Sequence, residues 1–495
     1  MTASDESDLP EQMRVRRDKL DRLRAEGIDP YPAGFARTAT IAEVRAAHLE
    51  LPPDVATGDR VGVVGRVVLS RNSGKLCFAT IRDGSGEIQV MLSLEKLGDD
   101  SLARWKSVID LGDHVGVEGE VITSRSGELS VLAHSWALTA KCLRPLPDKH
   151  KGLADPEARV RQRYVDLIVN PEARAMVAAR ATVLQSVRDT MRRHGYTEVE
   201  TPSLQTLHGG ATARPFKTHL NAFDLPLFLR IALELYLKRI VVGGIERVYE
   251  MGRVFRNEGV DTTHSPEFTE LEAYEAYGDY DTMAALTRDI VLDAAATIGS
   301  AVVPDGRGGQ IDLAAPWRSV TIHEVVSQAV GHDLTMDTDV DLLRAVAAQF
   351  DVALQPDWDH GQVLLELFEK LVEHTLIEPT FVRDYPASVR PLARPHRHDP
   401  RLVEAWDLII NGVELAPAYS ELVDPIEQRR RLTEQSLLAA GGDPEAMQLD
   451  EDFLRALEYG APPMGGLGLG VDRLVMLLTG ANIRETILFP LVRPE

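Results

Sequence analysis

The chain has 495 residues, 44% hydrophobic and 26% charged, which is ordinary for a soluble globular protein and long enough for two or three domains. Cys77 and Cys142 are its only cysteines, which excludes a disulfide framework or a cysteine-rich zinc module and suits a reducing cytosol, so a cytoplasmic location is expected. A formal net charge of −22 argues against broad nonspecific nucleic-acid binding. The acidic start MTASDESDLPEQ is no signal peptide, and no apolar run approaches the roughly 20 residues a membrane helix needs.

Residues 11–26 read as a helix, ended by Gly27 and the Pro30 and Pro32 breakers. Its stretch MRVRRDKLDRLR (13–24) is locally basic. It could steer RNA on an acidic protein, or be the solvated face of an amphipathic helix. From about 60 to 140 come VGVVGRVVLS, KLCFATIRD, GEIQVMLS, DHVGVEGEVITS and ELSVLAHSWALTA, short β-rich runs with Gly-containing turns. Five such strands suit a small OB-type barrel. The expected organisation is a helical extension at 1–55, the barrel at 56–145, a linker at 146–165 and one large α+β domain at 166–495. Within the last, 301–316 and 390–400 read as surface loops. OB barrels hold single-stranded nucleic acid by stacking bases on aromatics. Phe78 is a candidate platform, with Arg66 and Gln89 as polar readers; plain core packing is the alternative for Phe78.

Residues 255–272 read FRNEGVDTTHSPEFTELE. Arg256 and Glu258, two apart, share one face of a predicted strand; a loop with His264 and Pro266 follows; a second strand carries Phe268, Glu270 and Glu272 on one face. Arg256 could fork onto a phosphate, Phe268 could stack on a planar base, and Glu258 could fix an amino group on that base. A structural salt-bridge ladder is the alternative, but it leaves the aromatic unexplained.

WDLIINGVELAPAYSEL (406–422) contains Asn411-Gly412, a strong two-residue hairpin signal. With that turn, Ile409 faces Glu414 and Asp407 faces Ala416, which puts Asp407 and Glu414 on one face as diagonal neighbours. Two such carboxylates suit a hard cation such as Mg²⁺ completed by phosphate oxygens; an exposed acidic hairpin is the alternative. In an unbroken strand a spacing of seven turns Glu421 away from Glu414. Pro417 makes an unbroken ladder unexpected, so a bulge or bend could return Glu421 to the site beside Tyr419. A buried Glu421 needs a cationic partner, from the protein or from a ligand. Finally, GGLGLGVDRLVMLLTG (465–480) sets Gly466, Gly468 and Gly470 ahead of a helix whose first turn carries Arg473. Backbone close to a helix N-terminus welcomes an anion, and Arg256 and Arg473 could meet on one triphosphate.

These stretches, in this order, resemble the three motifs of the class II aminoacyl-tRNA synthetases. TEVETPSL with Pro202 resembles motif 1, FRNEG…H…F…E motif 2 and GLGLGVDR motif 3. GGATARPF, ELYLKRIVVGG and ERVYEMGRVFRNEG resemble the bacterial lysyl branch, and the barrel is similar to its anticodon-binding OB domain. The likeness runs from about residue 10 to 493. It implies an α+β fold, an OB barrel followed by an antiparallel sheet flanked by helices, and a homodimer joined around Pro202. It further implies ATP-dependent activation of L-lysine and transfer to tRNA(Lys), with no membrane partner. Arg256 would hold the α-phosphate, His264 and Arg473 the outer phosphates, Phe268 and Glu258 the adenine, and Asp407 and Glu414 Mg²⁺. Glu250, with backbone near Gly210, would take the lysine α-amine, and Glu272, Tyr274 and Glu421, beside Tyr419, the ε-amine. Arg66, Phe78 and Gln89 would meet the anticodon. Lysyl enzymes of this branch usually read ELGNGYSEL or ELGNGFSEL, so Pro417 stands here for an asparagine that contacts lysine. Leu233 likewise replaces a usual proline.

Overall fold

The computed structural model describes residues 9–147, 152–442 and 445–494, in two compact units that divide between Ala154 and Asp155. In the first unit, helix α1 (Glu11–Ala25) is followed by β1 (Ala56–Ser73), β2 (Leu76–Arg82), β3 (Glu87–Ser93), β4 (His114–Thr123) and β5 (Leu129–Ala140). The strands close into a barrel in the order β1-β2-β3-β5-β4. Period-two alternation explains the closure: Cys77, Ala79 and Ile81 of β2 and Ile88, Val90 and Leu92 of β3 fill the interior. Phe78, Thr80, Gln89 and Met91 therefore point outward, paired as Phe78↔Met91 and Thr80↔Gln89. The basic helix α1 is amphipathic, burying Met13, Leu20 and Leu23. Part of its charge is structural: Arg16 donates to the Cys142 carbonyl at 2.9 Å, and Lys19 Nζ lies 2.7 Å from Asp110.

Two boundary expectations need comment. Residues 1–8 of the N-terminal extension lie outside the described residues, as do 148–151 of the segment read as a linker. The rest of that segment is not all linker, because Pro156–Arg161 is a helix capped by the Asp155 side chain.

The second unit carries an eight-stranded sheet. Its strands are β6 (Thr197–Glu198), β7 (Arg247–Phe255), β8 (Glu267–Ala276), β9 (Arg318–Thr321), β10 (Thr380–Arg383), β11 (Ala405–Ile410), β12 (Val413–Ser420) and β13 (Met464–Gly470), in the order β9-β10-β11-β12-β13-β8-β7-β6. Pairing is antiparallel from β10 to β7 and parallel only at the two edges. Helices α2 (Pro171–Arg193), α3 (Glu234–Val242), α4 (Tyr280–Ile298) and α5 (Val471–Thr479) accompany it. Residues of α2, α4 and α5 join one buried cluster with Trp406, Leu408, Ala416, Ala418, Leu467 and Leu469 from the sheet. Each large apolar side chain buried this way contributes roughly 1.5–3 kcal/mol. The alternate residues of β8 and β12 face away from this cluster and are free to build a site. The helices Ile322–Val330, Val340–Gln349 and His360–Leu371 form a second cluster that covers Val382, Tyr385 and Ile409.

The stretch 301–316 is not simply a surface loop. It folds into a hairpin, Val302–Pro304 with Gln310–Asp312, because Val303, Ile311 and Leu313 are drawn into the main core.

Candidate active site

Two adjoining cavities open on the sheet. The first is lined by Arg256, Glu258, His264, Phe268, Glu414 and Arg473, so every residue expected to contact a nucleotide meets there. The β7–β8 hairpin forms, with Val254 opposite Phe268 and Glu250 opposite Glu272. Strand β7 ends at Phe255, however, so Arg256 and Glu258 stand on the following loop and not on a strand face. The chain turns aside there because Asn257 N–H donates to the Arg214 carbonyl at 2.7 Å. Arg256 is held from two sides: its Nε donates to the Ile231 carbonyl at 3.2 Å, and its guanidinium lies 5.1 Å over the Phe268 ring. Arg473, at the start of α5, donates to the Glu414 carbonyl at 2.6 Å. Neighbouring Asp472 is buried, accepts from Thr269 N–H at 2.7 Å and pairs with Arg180. That anchor fixes the helix start against β8. His264 is exposed and lies 2.9 Å from Asp261.

The second cavity shares Arg256, Glu270, Glu414 and Pro417 with the first, and adds Gly210, Glu234, Glu272, Tyr274, Arg390, Asp407, Tyr419 and Glu421. Its wall depends on the β11–β12 hairpin. Asn411 and Gly412 have φ of 56° and 71°, as a tight hairpin turn of this kind requires, and Ile410 and Ile409 face Val413 and Glu414. The register then shifts: Leu408 faces Ala416 and Asp407 faces Pro417, not Ala416. Leu415 is the extra residue of a β-bulge. The bulge reverses the parity of the strand, so Glu414, Pro417, Tyr419 and Glu421 all line the cavities although Glu414 and Glu421 are seven apart. The break thus lies two residues ahead of the proline. Pairing of β12 with β13 begins only at Ala418, immediately after it.

Asp407 is buried, and Arg390 Nη2 donates to its Oδ2 at 2.5 Å. Burial raises the Asp407 pKa, and Arg390 opposes the rise. Its Oδ1 has no aligned partner. Among the described residues no group of three or more His, Cys, Asp or Glu could hold a metal unaided. The Asp407–Glu414 pair, in which the buried Asp407 Oδ1 has only the unaligned Tyr385 hydroxyl for company, could hold Mg²⁺, with phosphates and water supplying its remaining ligands.

The far end of the cavity is acidic, and its carboxylates are buried. Glu272 Oε1 accepts from Leu233 N–H at 2.7 Å, and its Oε2 accepts from the Tyr274 hydroxyl at 2.8 Å. A proline at 233 could not make the first bond. Burial raises the Glu272 pKa well above the usual carboxylate range, and Glu270 adds to the rise. Glu421 is 2% exposed. Its room comes from Gly466, where a Cβ would stand 1.8 Å from Glu421 Oε1. The glycines of 465–470 therefore serve close packing inside the sheet as well as the start of α5.

Some expectations are not met, and some residues escape them. Glu250 does not line the cavity: Arg230 binds its Oε1 at 2.6 Å and the Thr201 hydroxyl its Oε2 at 2.6 Å, so it is consumed as a structural ion pair. Glu234 lines the cavity instead. Lys238, one turn on, supplies the cation that Glu421 was expected to need, 2.5 Å from Oε2. Arg390 comes from 390–400, read as a surface loop, and belongs to the site. The ELYLK motif contains both α3 residues, but sequence alone does not say which of its positions face a cavity; Arg390 gives no sequence signal at all.

On the barrel, Phe78 faces outward with Arg71 5.6 Å over its ring. Gln89 donates to the Ser130 hydroxyl at 2.8 Å, and Arg66 to the Gly112 carbonyl at 2.9 Å. The outer face thus offers a ring, an amide and a partly buried guanidinium.

Family comparisons agree with this architecture. A model for tRNA synthetases class II (D, K and N) matches residues 155–493, and one for an OB-fold nucleic acid binding domain matches 53–139. The chain belongs to the class II aminoacyl-tRNA synthetases of that group. Within the group it is 54% identical over 504 residues to a lysine–tRNA ligase of Mycobacterium bovis (strain BCG / Pasteur 1173P2), covering 100% of both chains. It is 54% identical over 498 residues to the lysine–tRNA ligase of Mycolicibacterium gilvum, covering 100% of this chain and 99% of the relative. It also matches the lysylphosphatidylglycerol biosynthesis bifunctional protein LysX of Mycobacterium marinum at 54% over 492 residues, 98% of this chain and 44% of the relative.

Proposed function

We propose that the protein is a lysine–tRNA ligase, which activates L-lysine with ATP and transfers it to the 3′ end of tRNA(Lys). The observation that carries this reading is the second cavity. It is lined by Glu234, Glu270, Glu272, Asp407, Glu414 and Glu421 against only Arg256 and Arg390, and it opens onto an arginine-lined neighbour. An acidic substrate such as aspartate would be repelled there, and a diamino acid is drawn in.

Two steps follow. A lysine α-carboxylate oxygen attacks the α-phosphorus of ATP, the bond to the bridging oxygen breaks, and pyrophosphate leaves. A ribose hydroxyl of the tRNA 3′ end then attacks the acyl carbon and AMP departs. The nucleophile of the first step is already an anion, so no protein base is needed; catalysis is positioning and charge stabilisation. Arg256 holds the α-phosphate, His264 and Arg473 the outer phosphates, and Phe268 with Glu258 the adenine. Mg²⁺ held by Asp407 and Glu414 would neutralise phosphate charge. Gly210 and Glu234 meet the α-amine, and Glu272, Tyr274 and Glu421 the ε-amine. Arg66, Phe78 and Gln89 meet the anticodon.

Pro202 is exposed beside half-exposed Leu204, which supports a homodimer through this segment, testable by sedimentation. No described helix is long and apolar enough to cross a membrane, and a cytoplasmic location accords with that. The match to LysX favours one second reading, in which the same aminoacylation supplies lysyl-tRNA for lipid lysylation. The deciding experiment is amino-acid-dependent exchange of label between pyrophosphate and ATP. Lysine should support it and aspartate should not; absence of exchange with every amino acid ends the enzyme reading.

A further inference from the structure

Glu234 and Lys238 lie one turn apart on α3, the spacing of a helical ion pair. Lys238 is 1% exposed, and its Nζ stands 2.5 Å from Glu234 Oε1. The same Nζ stands 2.5 Å from Glu421 Oε2, at the end of β12, and 5.8 Å over the Tyr274 ring from β8. One ammonium therefore serves two buried carboxylates. Glu272 and, beyond it, Glu270 face the same space from β8, and Tyr419 faces it from β12. With both carboxylates ionised the group is short of one positive charge before Glu272 is considered, and burial makes that deficit costly. Neither Glu421 oxygen has an aligned hydrogen bond; Oε2 has the Lys238 ammonium against it, and Oε1 has no such ion pair.

We propose that Lys238 is a positioning residue for the amine end of the cavity: shared between Glu234 and Glu421, its ammonium holds Glu421 by Oε2 and leaves Oε1 to receive the ligand's ammonium. This rests on lysine being the ligand. The missing charge is then the substrate's own. Burial pushes the Glu421 pKa up to about 8; Lys238 opposes the rise and Glu234 adds to it. An arriving ammonium favours the ionised form. Lysine binding should therefore release a proton near neutrality and tighten as pH rises through about 8. Without Lys238 the carboxylates hold their protons to higher pH, and the whole profile moves up.

The test is lysine KM and kcat in pyrophosphate exchange between about pH 6 and pH 9, for wild type, Lys238→Met and Lys238→Arg, with calorimetry in two buffers of different ionisation enthalpy. Lys238→Met should raise lysine KM about tenfold or more at neutral pH, shift its profile up by about one unit and leave the KM for ATP within a few-fold. Lys238→Arg should restore the profile. Equal losses in kcat and in the KM for ATP without a pH shift would overturn the assignment. Should Lys238→Met not fold, the wild type alone decides: no proton released on lysine binding at any pH in that range also overturns it. A wild type that binds no lysine at all ends the ligase reading and this assignment with it, which separates the two failures.

Discussion

The outer face of β2 and β3 and the cavity face of β8 and β12 both present polar and aromatic side chains at alternate positions, but on opposite sides of the water boundary. Phe78 and Gln89 are half-buried and Arg71, from neighbouring β1, is exposed, whereas Glu272 and Glu421 are 4% and 2% exposed. Outside, a charge is screened within about 10 Å and a single contact adds little, so recognition has to be summed over a surface. Inside, an unmatched charge costs several kcal/mol, so a few groups dictate what may enter. The barrel can therefore tolerate graded change, and the cavity cannot.

Inverting the buried charge should break this contrast most sharply. Glu421→Arg should cost about 3–5 kcal/mol in kcat/KM for lysine, enough to abolish measurable exchange, because it places a cation against Lys238 and the substrate amine. Unchanged lysine kinetics would remove Glu421 from the pocket. Arg473→Ala should lower the exchange rate by about 10²–10³-fold, as expected for loss of one fixed charge on the phosphates. Calorimetric binding of lysine without ATP should survive it; loss of that binding would mean the two cavities do not act separately.

On the barrel, Phe78→Ala should weaken tRNA(Lys) binding by about 1–3 kcal/mol and leave exchange intact. Charging kinetics equal to wild type would mean that another face reads the anticodon. The smallest effect is expected from Leu233→Pro, which restores the residue usual in the branch but deletes the amide donor to Glu272. A rise in lysine KM worth about 1.5 kcal/mol or less is expected, with kcat retained. No change would show that the Tyr274 hydroxyl alone suffices.

What could be read in advance divides by distance along the chain. The barrel follows from alternation within each strand, and the Asn411-Gly412 hairpin from two residues. Phe268, Glu270 and Glu272 follow from period two. The failures are long-range. Arg390 meets Asp407 across a hydrogen bond that nothing in either segment announces. Lys238 finds Glu421 from a different element. Glu250 has the right residue type, but Arg230 and Thr201 reach it first. The hairpin in 301–316 looks like a loop because Gly and Pro interrupt it, and only burial of three apolar side chains makes it otherwise. Composition states which charges exist; tertiary packing decides which remain unmatched.

The bulge at Leu415 makes chain length between the two glutamates as binding a requirement as their identity. Removing Leu415 would only erase the bulge and leave Glu414 and Glu421 on one face, six apart; deleting one residue from the regular stretch that follows, such as Ala418, would swap inside for outside and drive Tyr419 and Glu421 into hydrocarbon. Substitutions near this point can be graded, but an insertion or deletion there has no intermediate outcome. Across 416–420 the strand should therefore accept graded point changes but no one-residue insertion or deletion, whereas Leu415, buried in the main core, should accept only apolar replacements.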